Sequence, residues 1–435
     1  MDRQGAIELL TGEIGTRRLI WLGTGGDDAN RLASLPQLSH AYSLHSPCDA
    51  DGVESIAVES LTGRRQVDYD VALFLNQQGR PLIESFEGAV SEPAFLVSYA
   101  PYAFLSYILS NSKVRYLGNP YATFSAVSDK HKVEAALSTA GVTTIEWTRL
   151  PQSDLRPLRL REALRHGPIV LRSSKQDGGN GHDLIEDDEA LGNSAIAALP
   201  EPISVAAYIE DQVPVCVGGC VFPDGGITVH TPSLQLIGID ACTPRGLGYC
   251  GNDFGAARRL APESLQDLEG CVRVAGAWLH SQGFIGAFGV DALVRESETV
   301  FVEINPRFQG SSRMSAELDE AMDQPDVYLD HLMACLGMPS YRSLSLAEQA
   351  LLQPSRSQVH CLNLHRSPVS RKPNAMNLPQ GYSVTLLPAP DIRVGAGSLL
   401  FTLQVTGSVT CDGRSISSEA AAAVDVAVGA FTPCS

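Results

Sequence analysis

The chain has 435 residues, 44% of them hydrophobic, and a formal net charge of −17. At roughly 150 residues per domain, that length predicts about three domains with ordinary globular cores. The acidic balance excludes a general binder of nucleic acid or anionic membranes, whose affinity rests on basic patches, but leaves room for a local basic pocket.

The opening MDRQGAIELL is charged and has no long apolar stretch, so no signal peptide is expected there. RRLIWLGTGGDDANRLASLP (17–36) reads as a strand, a Gly-rich turn (Gly23, Gly25, Gly26), acidic residues and a helix. Asp28 stands where the last glycine of a G-x-G-x-x-G would fall, so a packing turn is the simpler reading than a dinucleotide site. VDYDVALFLN (67–76), AFLVSYA (94–100) and KVRYLGN (113–119) read as strands, an alternating α/β pattern over about 1–125. The window 93–112 carries no charge, but its two prolines and its serines predict a buried strand followed by a helix rather than a membrane span.

AVSDKHKVEAALSTAGV (126–142) predicts a helix stopped at Gly141. HGPIVLRSSKQDGGNGHDLIEDDEAL (166–191) predicts a strand, a Gly-rich loop, a second strand and a helix start. SVAAYIEDQVPVCVGGCVF (204–222) predicts two strands about a corner, and residues 261–283 an amphipathic helix ending at Gly283. Helical patterning resumes after 313. Beyond about 340 the texture shifts to loops, the strands YSVTLLPAP and SLLFTLQVTGSVT, and a last helix, which predicts a separate C-terminal module, 340–435. The ten cysteines form no C-x-x-C pair, so reduced core thiols of a cytoplasmic protein are expected.

Chemistry concentrates in VFVEINPRF (300–308). Glu303, Asn305 and Arg307 recur at every second position of an apolar strand and therefore share a face. The preceding FGVDALV forms the other arm of a hairpin around Glu296–Glu298; a turn centred on Ser297 sets Asp291 opposite Glu303. Two carboxylates and an amide oxygen so placed suit Mg²⁺, with Mn²⁺ as the alternative, and Arg307 can hold a phosphoryl or carboxylate oxygen. A solvated hairpin face is the bland alternative. In RSSKQDGGNGHD (172–183), Gly178, Gly179 and Gly181 let backbone N–H groups approach an anion, flanked by Arg172 and Lys175; an ordinary hairpin loop explains the glycines equally well.

Together these segments resemble the ATP-grasp ligases over about 126–338. SDKHKVEAALSTAGV resembles the family's opening helix, which implies that Lys130 contacts nucleotide phosphates. PIVLRSSKQDGGNG resembles its second basic position and glycine loop, with Arg172 in place of the usual lysine; Lys175, Gly178, Gly179 and Gly181 join the ATP-binding set. VAAYIED resembles the strand that holds adenine through Tyr208 and Ile209, with Glu210 or Asp211 on the ribose. GVDALV and VFVEINPR resemble the metal segment, implying Asp291, Glu303 and Asn305 as Mg²⁺ ligands and Arg307 as the catalytic residue. The resemblance implies an α/β and α+β multidomain fold: a Rossmann-like pre-ATP-grasp domain (1–125), an ATP-grasp core in two subdomains (126–205 and 206–339) and a small C-terminal α/β module.

With SLQLIGIDACTPRGLGYCGNDF (233–254), the chain looks most like the pheganomycin-type peptide ligases, which join a carboxylate to an amine. That implies an acyl-phosphate route from ATP, small-molecule acid and amine partners such as amino acids or peptides, and a glycine loop that closes over the intermediate. Arg245, Ser311, Ser312 and Arg313 are the candidate substrate residues; a surface arginine and serines at a helix start are the plain alternatives. His182 is a candidate base beside the glycine loop. A homo-oligomer stays open, and carboxylation, phosphoryl transfer or nucleotide binding without turnover are the rival functions. No Met-Lys-Met biotin-attachment sequence occurs.

Overall fold

The computed structural model describes residues 1–65, 80–110, 113–173, 181–295, 298–373 and 376–434. The strand expected at 67–76 lies outside them, as do Lys175, Gly178, Gly179 and the hairpin tip at 296–297.

Five parallel strands open the chain, in the order Glu54–Ala57, Leu38–His45, Arg18–Gly25, Ala94–Ser98, Val114–Tyr116. Arg18–Gly25 is apolar almost throughout because both faces are covered. Leu19 and Trp21 join one core with helix Arg3–Ile14; Ile20 and Leu22 join another with helix Arg80–Val90. The uncharged window forms a buried strand and then helix Ala103–Leu109. Among the described residues no helix is long and apolar enough to cross a membrane.

A small antiparallel sheet follows, ordered Thr148–Leu150, Ile203–Ala207, Ile169–Ser173, His182–Ile185. The helix expected over 126–142 is two helices, Tyr121–Val127 and Lys130–Thr139. Asp129 divides them by accepting a hydrogen bond from the Lys132 N–H, so the second helix starts afresh with Lys130 in its first turn. Gly141 follows its end at φ +88°, as a stop requires.

The large sheet runs Glu298–Asn305, Gly286–Arg295, Val213–Val221, Ser233–Ile237, Tyr249–Asp253, Arg356–Leu362, Leu399–Thr406, Tyr382–Thr385, with Ile227–Val229 added on Val213–Val221. Helix Pro262–Ser281 packs on the face carrying Phe288, Val290 and Ala292; helix Val327–Leu336 packs on the opposite face, over Ala287. Residue 340 is therefore no boundary within the sheet. Tyr249–Asp253 pairs directly with Arg356–Leu362, and the expected C-terminal module extends the central layer. A fourth sheet joins Phe431–Pro433, Val369–Arg371 and Arg393–Val394 to Arg64–Arg65 of the N-terminal region. There the Arg65 guanidinium binds the Glu59 carboxylate at 2.6 and 3.0 Å and the Leu386 carbonyl at 2.6 Å.

Beneath the large sheet lies a buried charged triad. His230 Nδ1 is 2.9 Å from Asp319 and Nε2 is 3.4 Å from Asp330. Burial alone would lower the His230 pKa, but the two carboxylates outweigh it and push it up to about 10. The proton is bound more tightly in the folded chain, so its stabilising contribution is full below about pH 6.5 and is lost as pH rises towards 10. Urea titrations at pH 7 and pH 10 should therefore show wild-type stability falling more steeply than that of His230→Gln. The variant should already be weaker at pH 7 by about 3 kcal/mol, because two buried carboxylates lose their cation.

Candidate active site

The hairpin sets Asp291 opposite Glu303, as the sequence predicts, but by a different route. Arg295 pairs with Glu298, a register that by itself would bring Asp291 to Val302. Val302 instead stands without a partner in the ladder, and this bulge slides Glu303 onto Asp291. Phe301, before the bulge, lies on the apolar face with Ala292, while the bulge brings Glu303 to the same side as Val302, so that Val302, Glu303 and Asn305 line an open cleft. Pro306 ends the strand at Asn305. Arg307 still faces the cleft, with Nη1 donating to the Phe308 carbonyl at 2.9 Å and standing 3.5 Å from the Tyr99 hydroxyl.

The two carboxylates sit in different fields. Lys130 Nζ lies 3.1 Å from Glu303. Burial raises the Glu303 pKa, but Lys130, His182 and Arg307 together outweigh it and hold the group below its ordinary value. Asp291 is pushed up to about 7, first by burial and then by the Glu303 charge. It accepts hydrogen bonds from Asn305 Nδ2 at 3.0 Å and Gln309 Nε2 at 3.3 Å. The pair is thus short of positive charge on the Asp291 side. A divalent cation fits this donor set, with Asp291, Glu303 and the Asn305 amide as ligands. Among the described residues no cluster of three or more His, Cys, Asp or Glu side chains offers another metal site. Cys216, paired with Asp291 in the ladder, has its thiol pushed well up by burial and then by Asp291, so it stays protonated.

The cleft spans about 1280 Å³ between atoms, counting the solvent at its open mouth. Tyr208 and Ile209 line it, but Glu210 and Asp211 do not. Asp211 adopts φ +51°, and both acids are exposed. Buried Gln212 lines the cleft instead, and its Oε1 has no hydrogen-bond partner among the described residues. Arg172 is a further correction: its guanidinium is buried in a two-pronged ion pair with Glu134 and lies 4.1 Å from the Trp147 ring centroid. It stiffens the cleft wall rather than lining it. Gly181 is buried just before strand His182–Ile185. His182 lines the cleft; burial and then Lys130 lower it to about 4, leaving a neutral ring at pH 7.

Arg414 lines the same cleft, hydrogen-bonded to the Tyr208 hydroxyl and 5.3 Å from its ring centroid. Nothing near it in the sequence hints at this. Its loop is held by Asp412, which accepts from the Arg414 and Ser415 N–H groups, and by the Gly413 carbonyl, which accepts from the Ile237 N–H.

A second cleft adjoins the first, sharing Tyr249, Gln309 and Gly310. Arg245 and Arg313 line it. Ser311 faces the first cleft, whereas Ser312 accepts from the Gln309 N–H at 2.8 Å, shaping the helix start. The expected substrate residues therefore divide between two connected spaces and one structural turn.

The first cleft thus combines two paired carboxylates on a sheet, a lysine from the first turn of a helix and the edge of a second, smaller sheet. Residues 226–311 match the family model described as an ATP-grasp domain. The fold is similar to that of solved structures. A biotin carboxylase from Campylobacter jejuni superposes with a TM-score of 0.63 at 17% identity, over 96% of this chain and 92% of that one. An N5-carboxyaminoimidazole ribonucleotide synthetase in complex with ADP gives 0.61 at 13%, over 96% and 98%. In sequence, a formate-dependent phosphoribosylglycinamide formyltransferase from Prochlorococcus marinus is 22% identical over 178 residues, 40% of this chain. The match spans 41% of that relative's length.

Gly289 faces Asn305 across the hairpin, and a Cβ there would stand 1.8 Å from the Gln309 amide carbon. Gly289→Ala should cost about 1–3 kcal/mol by overpacking. Adding Gln309→Ala should recover most of that loss in thermal unfolding, because the clash is with this one side chain.

Proposed function

We propose that the chain is an ATP-dependent carboxylate–amine ligase. The observation that carries this is the single face on which Asp291, Glu303, Asn305 and Arg307 line one cleft beside Lys130, with a second cleft adjoining it through Tyr249, Gln309 and Gly310. A substrate carboxylate oxygen attacks the γ-phosphorus of ATP; the bond to the β-phosphate oxygen breaks and ADP leaves. An amine then attacks the acyl carbon of the acyl phosphate, loses a proton, and inorganic phosphate departs with the C–O electron pair.

Each side chain has a part. Tyr208, Ile209 and Gln212 hold the base end of the nucleotide, with Arg414 across the Tyr208 ring. Lys130 is released from Glu303 to the phosphates. Arg307, fixed by the Phe308 carbonyl and set beside Tyr99, steadies charge on the carboxylate oxygen and on the tetrahedral centre that follows. Mg²⁺ on Asp291, Glu303 and Asn305 would neutralise phosphate charge and fix its orientation. The apolar wall of Trp147, Val170 and Leu293 limits water, to which an acyl phosphate is vulnerable. The solved relatives favour a second reading, in which the activated acid is bicarbonate and the product a carboxylated amine.

ADP release and product mass, followed with Mg-ATP against acids and amines singly and paired, test both readings. The ligase predicts ADP and a new amide only when both partners are present, and a hydroxamate when hydroxylamine replaces the amine. A strict requirement for bicarbonate would favour carboxylation, and AMP as product would sink the acyl-phosphate route. Arg307→Ala should lower kcat by about 10²–10³ while changing the KM for ATP far less, since its charge acts at the reacting centre.

A further inference from the structure

The second cleft presents two charged groups of opposite sign, each without a partner. Asp27, in the Gly-rich turn after the first strand, accepts no hydrogen bond and forms no ion pair among the described residues. The exposed Arg245 side chain, on the loop between Ser233–Ile237 and Tyr249–Asp253, likewise donates to none of them. The other guanidinium there, Arg313, is already engaged by Glu317 at 2.9 Å and Thr385 at 3.2 Å.

An unpaired carboxylate and an unpaired guanidinium facing one cleft are complementary to a molecule carrying both charges. We propose that this cleft is the acceptor site and takes a zwitterionic amine, an amino acid or short peptide, with its ammonium on Asp27 and its carboxylate on Arg245. The proposal rests on the ligase reading above and assigns its amine partner.

Tyr99 joins this cleft to the reacting centre: its hydroxyl stands 3.5 Å from Arg307 Nη1, and it lines the second cleft together with Asp27 and Asp28. Asp27 and Arg245 line the second cleft and not the first, so a molecule held by both lies beside the nucleotide space rather than in it. The surroundings of Asp27 favour a cation as well. Burial raises its carboxyl pKa, and although Arg313 pulls it down, Asp49 and Glu317 add to the rise. Asp28 already accepts from the Tyr328 hydroxyl at 2.7 Å, which leaves Asp27 as the open carboxylate. His360 adds a neutral donor or acceptor: its Nδ1 bonds to Thr402, and its Nε2 has no hydrogen-bond partner.

Equilibrium binding tests this without turnover. The full chain, loaded with Mg²⁺ and a non-hydrolysable ATP analogue, is titrated calorimetrically with common L-amino acids and simple dipeptides. The tightest binder is then repeated as its C-terminal amide and its N-acetyl derivative. Each modification should weaken binding to the wild type at least tenfold. Arg245→Ala should erase the amide penalty alone, and Asp27→Asn the acetyl penalty alone. Nucleotide binding on the same samples shows that the variants are folded. If no probe binds, or if both penalties persist in the variants, the assignment is overturned. Binding with the expected penalties but no ADP release with any acid would uphold the site and remove the ligase reading.

Discussion

One unpaired residue, Val302, decides which side chains of the hairpin share the face of the cleft. Without the bulge, the ladder would face Asp291 with Val302 and turn Glu303 into the apolar face against helix Pro262–Ser281. With it, two carboxylates stand across a strand pair at about 5 Å between Cβ atoms. At that range their repulsion is about 3 kcal/mol for an effective dielectric of about 20. Such an arrangement persists only with compensating charge and hydrogen bonds. They arrive from elsewhere in the fold: Lys130 from the helix before the small sheet, Asn305 and Gln309 from the end of the hairpin.

The same segment anchors the N-terminal domain. Phe308, three residues past Asn305, stacks on Tyr328 at 4.6 Å between ring centroids and also meets Trp21. Its N–H donates to the Tyr99 carbonyl. Arg3 and Arg31 stand 3.7 and 3.6 Å from buried Asp326, which also caps helix Val327–Leu336. The N-terminal region that supplies Asp27 and Asp28 is thus fixed against the segment that supplies Glu303 and Arg307, and the clefts meet at that seam.

The sequence made the hairpin legible because alternation in a short apolar strand is a strong local signal, and Tyr208 and Ile209 followed from a neighbouring motif. What escaped was set by distance along the chain. Nothing around Arg172 announces that Glu134 will claim its guanidinium, and nothing around Arg414 points to Tyr208. Glu210 and Asp211 looked right for a ribose because they are acidic, but both are exposed at the left-handed turn of Asp211, and Gln212 lines the cleft instead. The continuation of the sheet past 340 was hidden for the same reason. Composition changes there, but the pairing of Gly251 with Val359 continues the sheet, and strand partners that far apart leave no local trace.

The edge formed by Arg64–Arg65 has a consequence for how the chain is made. Its partner strand, Arg393–Val394, leaves the ribosome long after the rest of the N-terminal domain has been synthesised. Until then Arg65 has Glu59 beside it but lacks the carbonyls of Leu386 and Leu399 that complete its shell. The nascent region therefore carries an open strand edge, with Arg65 bonded to water in place of those carbonyls, through most of translation. The last quarter of the chain acts as the clasp that closes what the first sixty-five residues began.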